Sequence, residues 1–133
     1  MSGFFLDAAL IESLVDKARA APRRRSHHNL HTDPAGPAHR MLVAMEPDSY
    51  VRPHCHLDPA KAETIIVLRG RLGTLIFDAA GQVLDARVMA PGAAVFGYDV
   101  PPGVFHCIVA LESGTVFVAA KAGPYAVPLE AEW

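Results

Sequence analysis

Eight short stretches rich in Val, Ile, Leu and aromatic residues follow one another through residues 41–45, 50–56, 63–68, 72–77, 83–89, 93–96, 105–111 and 115–121. Turn residues separate them. Asp78-Ala79-Ala80-Gly81 closes a hairpin, and Ala90-Pro91-Gly92, Pro101-Pro102-Gly103 and Glu112-Ser113-Gly114 form tight turns. A parallel sheet needs helices between its strands, so this pattern predicts an all-β, antiparallel sandwich or barrel. Upstream, Leu6, Leu10, Leu14 and Ala18, joined by Ile11 and Val15, recur at helical spacing over 6–20. Pro22 stops that helix, and the basic and polar segment that follows, with two prolines and a glycine, reads as an extended arm. At 133 residues the chain fits one domain. Within it we expect a helix and arm over 1–40, a barrel over 41–125 and a tail over 126–133.

Composition narrows the function. Hydrophobic residues make up 51% and charged residues 20%, enough apolar surface for a packed core. A formal net charge of −2 supplies no basic field for nucleic acid or an anionic membrane, so neither is an expected partner. No basic residue precedes the first apolar stretch, and Asp7 and Glu12 interrupt any run of signal or spanning length. The expected compartment is the cytoplasm, where the two cysteines, Cys55 and Cys107, stay reduced.

Seven histidines are the unusual feature. In Arg52-Pro53-His54-Cys55-His56 two of them lie two apart, and on a strand alternate side chains share a face. Glu63 opens the next stretch, and Pro101-Pro102-Gly103-Val104-Phe105-His106 brings a third histidine just past a rigid turn. Three imidazoles and a carboxylate suit one divalent transition metal and leave positions for water or substrate. The same alternation turns Cys55 and Cys107 away from that centre.

At these residues the chain resembles the cupin superfamily, whose motifs are H-x-H, then Glu, then Gly, followed by P-x-G-x-x-H. Within it the chain looks most like the small WbuC-type cupin metalloproteins, through Arg25 with Asn29-Leu30-His31, residues 50–56, residues 67–73 and Lys121-Ala122-Gly123-Pro124-Tyr125. The resemblance implies a jelly-roll barrel with metal ligands His54, His56, Glu63 and His106. It also implies an association with polysaccharide or O-antigen biosynthesis.

Imidazole with carboxylate admits Zn, Fe, Mn, Ni or Co. Around such an ion we expect Asn29, Arg69, Arg71 and Tyr125 to bind a small polar or anionic molecule such as a sugar derivative. His31 is the candidate for proton transfer, with metal-bound hydroxide as its alternative. The leading expectation is a metal-dependent isomerase, epimerase or oxygenase working as a homodimer, because the 6–20 helix needs a surface to cover on its own barrel or on a neighbour. A metal-dependent binding or sensor protein is the competing reading.

Overall fold

The computed structural model describes residues 3–133. Its one α-helix among these residues, α1 (Ala8–Ala20), starts two residues later than its periodicity because Asp7 takes the N-cap position and accepts the Leu10 amide at 2.9 Å. Leu14, Val15 and Ala18 form its buried stripe.

Eight strands follow: β1 (Arg25–Asn29), β2 (Ala38–Met45), β3 (Glu63–Arg69), β4 (Leu72–Phe77), β5 (Val83–Met89), β6 (Gly97–Val100), β7 (Phe105–Ala110) and β8 (Thr115–Ala122). They make two antiparallel sheets, in the orders β1-β2-β8-β3-β6 and β5-β4-β7. β4 and β5 begin and end where the sequence places them. The expected count of eight is met with different members.

The arm supplies β1, whose residues pair with Met41 to Met45 of β2. The 50–56 stretch is not a strand. Its only pairing is an isolated bridge between His54 and His106, since Pro53 has no N–H to donate to a ladder. The stretch at 93–96 is not a strand: it leaves a turn closed by the Ala93 amide on the Ala90 carbonyl, and the strand begins after it at Gly97. A Cβ at Gly97 would lie 2.5 Å from the Ile65 carbonyl oxygen, so glycine there lets β6 lie close along β3.

The alternation of β2 and β8 builds two layers. Leu42, Ala44 and Val116 face outward and are covered by Leu14, Val15 and Ala18 of α1. Val43, Met45, Phe117 and Ala119 face inward and meet Leu72, Met89 and Ala110 of the second sheet. β2 is therefore buried on both faces. The helix covers its own barrel, so its apolar stripe gives no reason to expect a second copy.

Glu46, 4% exposed, ties these layers together. Its carboxylate accepts the Gly114 amide at 2.6 Å and the Ser113 hydroxyl at 2.7 Å, and it pairs with Arg19 of α1 at 3.4 Å. Burial alone pushes the Glu46 carboxyl up, but those three donors outweigh it and hold the group below its ordinary value. Glu46→Ala is expected to lower the unfolding free energy by about 2–3 kcal/mol, the scale of hydrogen bonds to a buried charge. A carboxyl whose pKa is depressed on folding stabilises fully above its unfolded value and loses that contribution as pH falls through its lower, folded value. Urea titrations should therefore show the gap between wild type and Glu46→Ala narrowing from pH 7 to the acid side of the carboxylate range.

Candidate metal centre

One loop, carrying His54 and His56, and the start of β7, carrying His106, bring the three histidines of the motifs to one end of the barrel. The His54 amide donates to the His106 carbonyl at 3.0 Å, and the His106 amide returns the bond at 2.9 Å. The Gly103 amide donates to the His56 carbonyl at 2.7 Å. Gly103 has φ +80°, the left-handed conformation that turns the Pro101-Pro102-Gly103 segment back toward the first loop. Three main-chain bonds thus lace the motifs together before any side chain contributes.

The imidazoles converge. One ligand nitrogen from each of His54, His56 and His106 lies within 4.8 Å of the others, and the ring centres of His54 and His106 are 4.5 Å apart. The His54 Nδ1 faces the Arg52 carbonyl at 2.8 Å, and the His106 Nδ1 faces the Val104 carbonyl at 2.9 Å. A ring nitrogen facing a carbonyl oxygen carries the proton, which leaves a lone pair on each Nε2. Such a main-chain contact is the usual way a metal-ligating histidine is oriented.

Among the described residues the buried Nε2 atoms of His56 and His106 have no hydrogen-bond partner. Glu63 comes from the start of β3 and places its Oε1 3.5 Å from the His106 Nε2, with the two side chains only 15% and 2% exposed. A lone pair and a carboxylate oxygen facing each other out of water repel unless a cation or proton lies between them. The donor set of three imidazole nitrogens beside one carboxylate fits a divalent transition metal.

The electrostatics agree with this chemistry. Burial holds the His54 imidazole below its usual value. Burial, reinforced by the Lys121 charge, depresses His56 to about 4. Burial pushes the Glu63 carboxyl up, but its contact with His106 and the charge of Lys121 outweigh that and keep it on the ionised side. Near neutral pH the cluster offers neutral His54 and His56 imidazoles beside an anionic carboxylate, the protonation state that metal binding requires.

The other expected site residues divide. Tyr125 lines a rim cavity of about 400 Å³ that also touches His54 and His56. Lys61 holds the segment before it, donating Nζ to the Pro124 carbonyl at 2.7 Å. Arg69 and Arg71 are not brought to the histidines. Arg69 ends β3 and Arg71 lies just beyond it, six or more residues from Glu63 and so about 20 Å along an extended chain. Arg69 pairs there with Glu12 at 2.5 Å and Arg71 with Glu112 at 2.8 Å.

Asn29, at the end of β1, is exposed and lines neither cavity that reaches the histidines. His31 stacks on His39 with ring centres 4.0 Å apart, and its Nδ1 lies 3.1 Å from both the amide and the carbonyl of Arg40. The arm residues that reach a cavity beside the histidines are the half-buried Arg25 and the exposed His27, which line a space of about 210 Å³ together with His54, Glu63 and His106. The antiparallel pairing of β1 with β2 could have revealed this, since it puts Arg25 and His27 opposite Met45 and Val43. Cys55 and Cys107 are both buried free thiols whose pKa burial pushes up.

Sequence reading also missed the tail. Its last residues cross the histidine loop: the Cys55 amide donates to the Glu132 carbonyl at 2.8 Å, and the Leu57 amide donates to the Glu132 carboxylate at 2.8 Å. The Trp133 ring lies 6.0 Å from His54, with the Arg52 guanidinium over it at 4.7 Å.

Residues 6–89 match the model of a family described as Domain of unknown function (DUF6016), and the chain belongs to that family. No curated protein matches the sequence. Among solved structures, KdgF from Halomonas sp. is similar with a TM-score of 0.61 at 17% identity, over 80% of this chain and 84% of that one. The conserved SPY1581 protein of unknown function from Streptococcus pyogenes has a TM-score of 0.62 at 12% identity, over 95% and 92% of the two chains. Oxalate decarboxylase from Bacillus subtilis, a protein with Mn(II) centres, has a TM-score of 0.57 at 19% identity, over 77% of this chain and 26% of its own. At these identities the likeness is one of fold, and the fold is that of the cupins.

Each of His54→Ala, His56→Ala and His106→Ala should lose the stoichiometric metal that wild type retains through gel filtration, while far-ultraviolet circular dichroism stays that of a β protein. Glu63→Gln should weaken metal affinity about 10- to 100-fold, the range for loss of a supporting carboxylate. Elemental analysis and calorimetric titration check both, and unchanged metal content in all three histidine variants would remove the centre.

Proposed function

We propose that this member of the DUF6016 family is a WbuC-like cupin metalloprotein that binds one divalent transition metal per chain through His54, His56, His106 and Glu63. The observation that carries the reading is the convergence of three imidazoles within 4.8 Å, with buried, unpartnered Nε2 atoms on His56 and His106 and the Glu63 carboxylate 3.5 Å from the latter. Zn, Fe, Mn, Ni and Co all suit the donor set. Bound there, such a metal supplies Lewis-acid polarisation to an oxygen of a bound molecule.

The activity we propose is that of an isomerase, epimerase or oxygenase acting on a small polar molecule such as a sugar derivative, in polysaccharide or O-antigen biosynthesis in the cytoplasm. The rim cavity supports this, because it is large enough for a small molecule and opens directly onto His54 and His56. Tyr125 contributes a hydroxyl to its wall, Trp133 an apolar plate, and His54 and His56 two of the three converging imidazoles. As a partner we propose a second copy of the chain, supported by the exposed Val83, Leu84 and Val88 of edge strand β5. No helix among the described residues is long and apolar enough to cross a membrane.

One observation favours the non-catalytic alternative, a metal-dependent binding or sensor protein. His31, the expected proton-transfer group, is engaged by His39 and the Arg40 backbone outside both cavities.

Protein purified without a histidine tag should contain close to one metal per chain by elemental analysis. Removing the metal should lower the melting temperature, and at a free metal concentration 100 times Kd its return should add about 2.7 kcal/mol of stability. The same treatment should leave His56→Ala unchanged. Turnover of sugar derivatives by the metal-restored protein would favour the enzyme, and saturable binding without turnover the sensor. Light scattering reports the dimer as twice the chain mass.

A further inference from the structure

The interior face of the five-stranded sheet changes character in its last row. Deeper in, Met41, Ala119, Ile65 and Tyr98 lie side by side across β2, β8, β3 and β6. At the rim the same four strands present His39, Lys121, Glu63 and Val100. Lys121 shares its parity with Phe117 and Ala119, whose side chains pack in the core, so its side chain leaves the strand on the interior side.

Lys121 is half-buried and lines the rim cavity with His54 and His56. Among the described residues its ammonium makes no hydrogen bond and no ion pair, although Glu63 stands directly opposite on the neighbouring strand. The Glu63 carboxylate turns to His106 instead. The other charges facing the cavity are occupied: the Lys61 Nζ bonds the Pro124 carbonyl, the Asp58 carboxylate accepts the Ala60 amide, and both Glu132 oxygens accept main-chain amides. With a divalent ion held by neutral imidazoles and one carboxylate, the metal centre keeps one net positive charge, and Lys121 adds a second cationic group beside it.

We infer that Lys121 is the anion anchor of this pocket and selects a small carboxylate, such as a 2-hydroxy acid, one oxygen of which lies against the metal while another accepts the Lys121 ammonium. The inference rests on the metal reading above and specifies the molecule that the centre receives. A carboxylate offers two oxygens about 2.2 Å apart, so one group can address a metal and an ammonium together. A neutral amide of the same shape satisfies neither charge. Lys121 thereby takes the role that the sequence offered to Arg69 and Arg71.

The test uses full-length protein loaded with Co(II), whose visible absorption responds when a molecule enters the coordination sphere. Wild type should bind lactate at least about tenfold more tightly than lactamide, the loss that a missing charge-assisted hydrogen bond brings. Lys121→Met should keep full cobalt by elemental analysis, yet bind lactate about tenfold or more weakly and no longer distinguish it from lactamide. Lys121→Arg, which restores the charge, should recover most of the discrimination and guards against a methionine variant that folds poorly. Equal binding of lactate and lactamide by wild type overturns the inference. So does undiminished lactate binding by cobalt-loaded Lys121→Met, or loss of cobalt from both variants, which would make Lys121 a support of the metal site. Failure of wild type to take up metal overturns the metal reading itself and is seen before any lactate is added.

Discussion

The paired main-chain hydrogen bonds between His54 and His106 are the constraint on which the site depends. They join a loop to the start of β7, some fifty residues apart in sequence. Once the backbones are matched there, each Nδ1 finds a carbonyl two residues earlier in its own segment, Arg52 for His54 and Val104 for His106. The rings are then turned with Nε2 inward by local geometry alone. The cluster is thus organised by the main chain, and a metal would enter a site whose ligand tautomers are already selected.

That organisation costs stability, because the Nε2 atoms of His56 and His106 are taken out of water without hydrogen bonds of their own. The rest of the barrel supplies the offset. One apolar layer between the sheets and a second beneath α1 bury residues on both faces of β2. Glu46 links helix, arm and the 112–114 turn at the opposite end of β2 from His39. The polar burden of the metal end and the structural ion network of the other end are therefore separated along the same strands. A deficit of hydrogen bonds at a site held by a satisfied scaffold is the pattern expected of a binding centre.

Charge at the rim follows from strand register. Lys121 and Glu63 are cross-strand neighbours, a placement that in an ordinary sheet would make a surface ion pair. Here the carboxylate lies against His106, leaving the lysine over the cavity. Arg69 and Arg71 show the ordinary outcome at the other end of the sheet, where each reaches an exposed acid and neither reaches a pocket that touches the histidines.

Much of the fold was legible in the sequence because alternation and turn chemistry are local. The limits of β4 and β5, the helical stripe of α1 and the Pro-Gly turns could all be read from neighbouring residues. The H-x-H and P-x-G-x-x-H segments announced three histidines because their types and spacings survive without knowledge of pairing. Where tertiary contacts decide, local reading ran out. Pro53 removed the 50–56 stretch from the ladder, Gly97 moved a strand past its apolar run, and pairing with β2 put Arg25 and His27, not Asn29, on the wall of a cavity beside the histidines. Lys121 and the Glu132-Trp133 tail were invisible for the same reason: a side chain acquires its role from the residue across the sheet or across a loop, and that neighbour is chosen by register and closure of the barrel. The sequence by itself determined which chemical groups the chain owns and which local elements it forms; only the tertiary structure decided which of those groups face one another out of water.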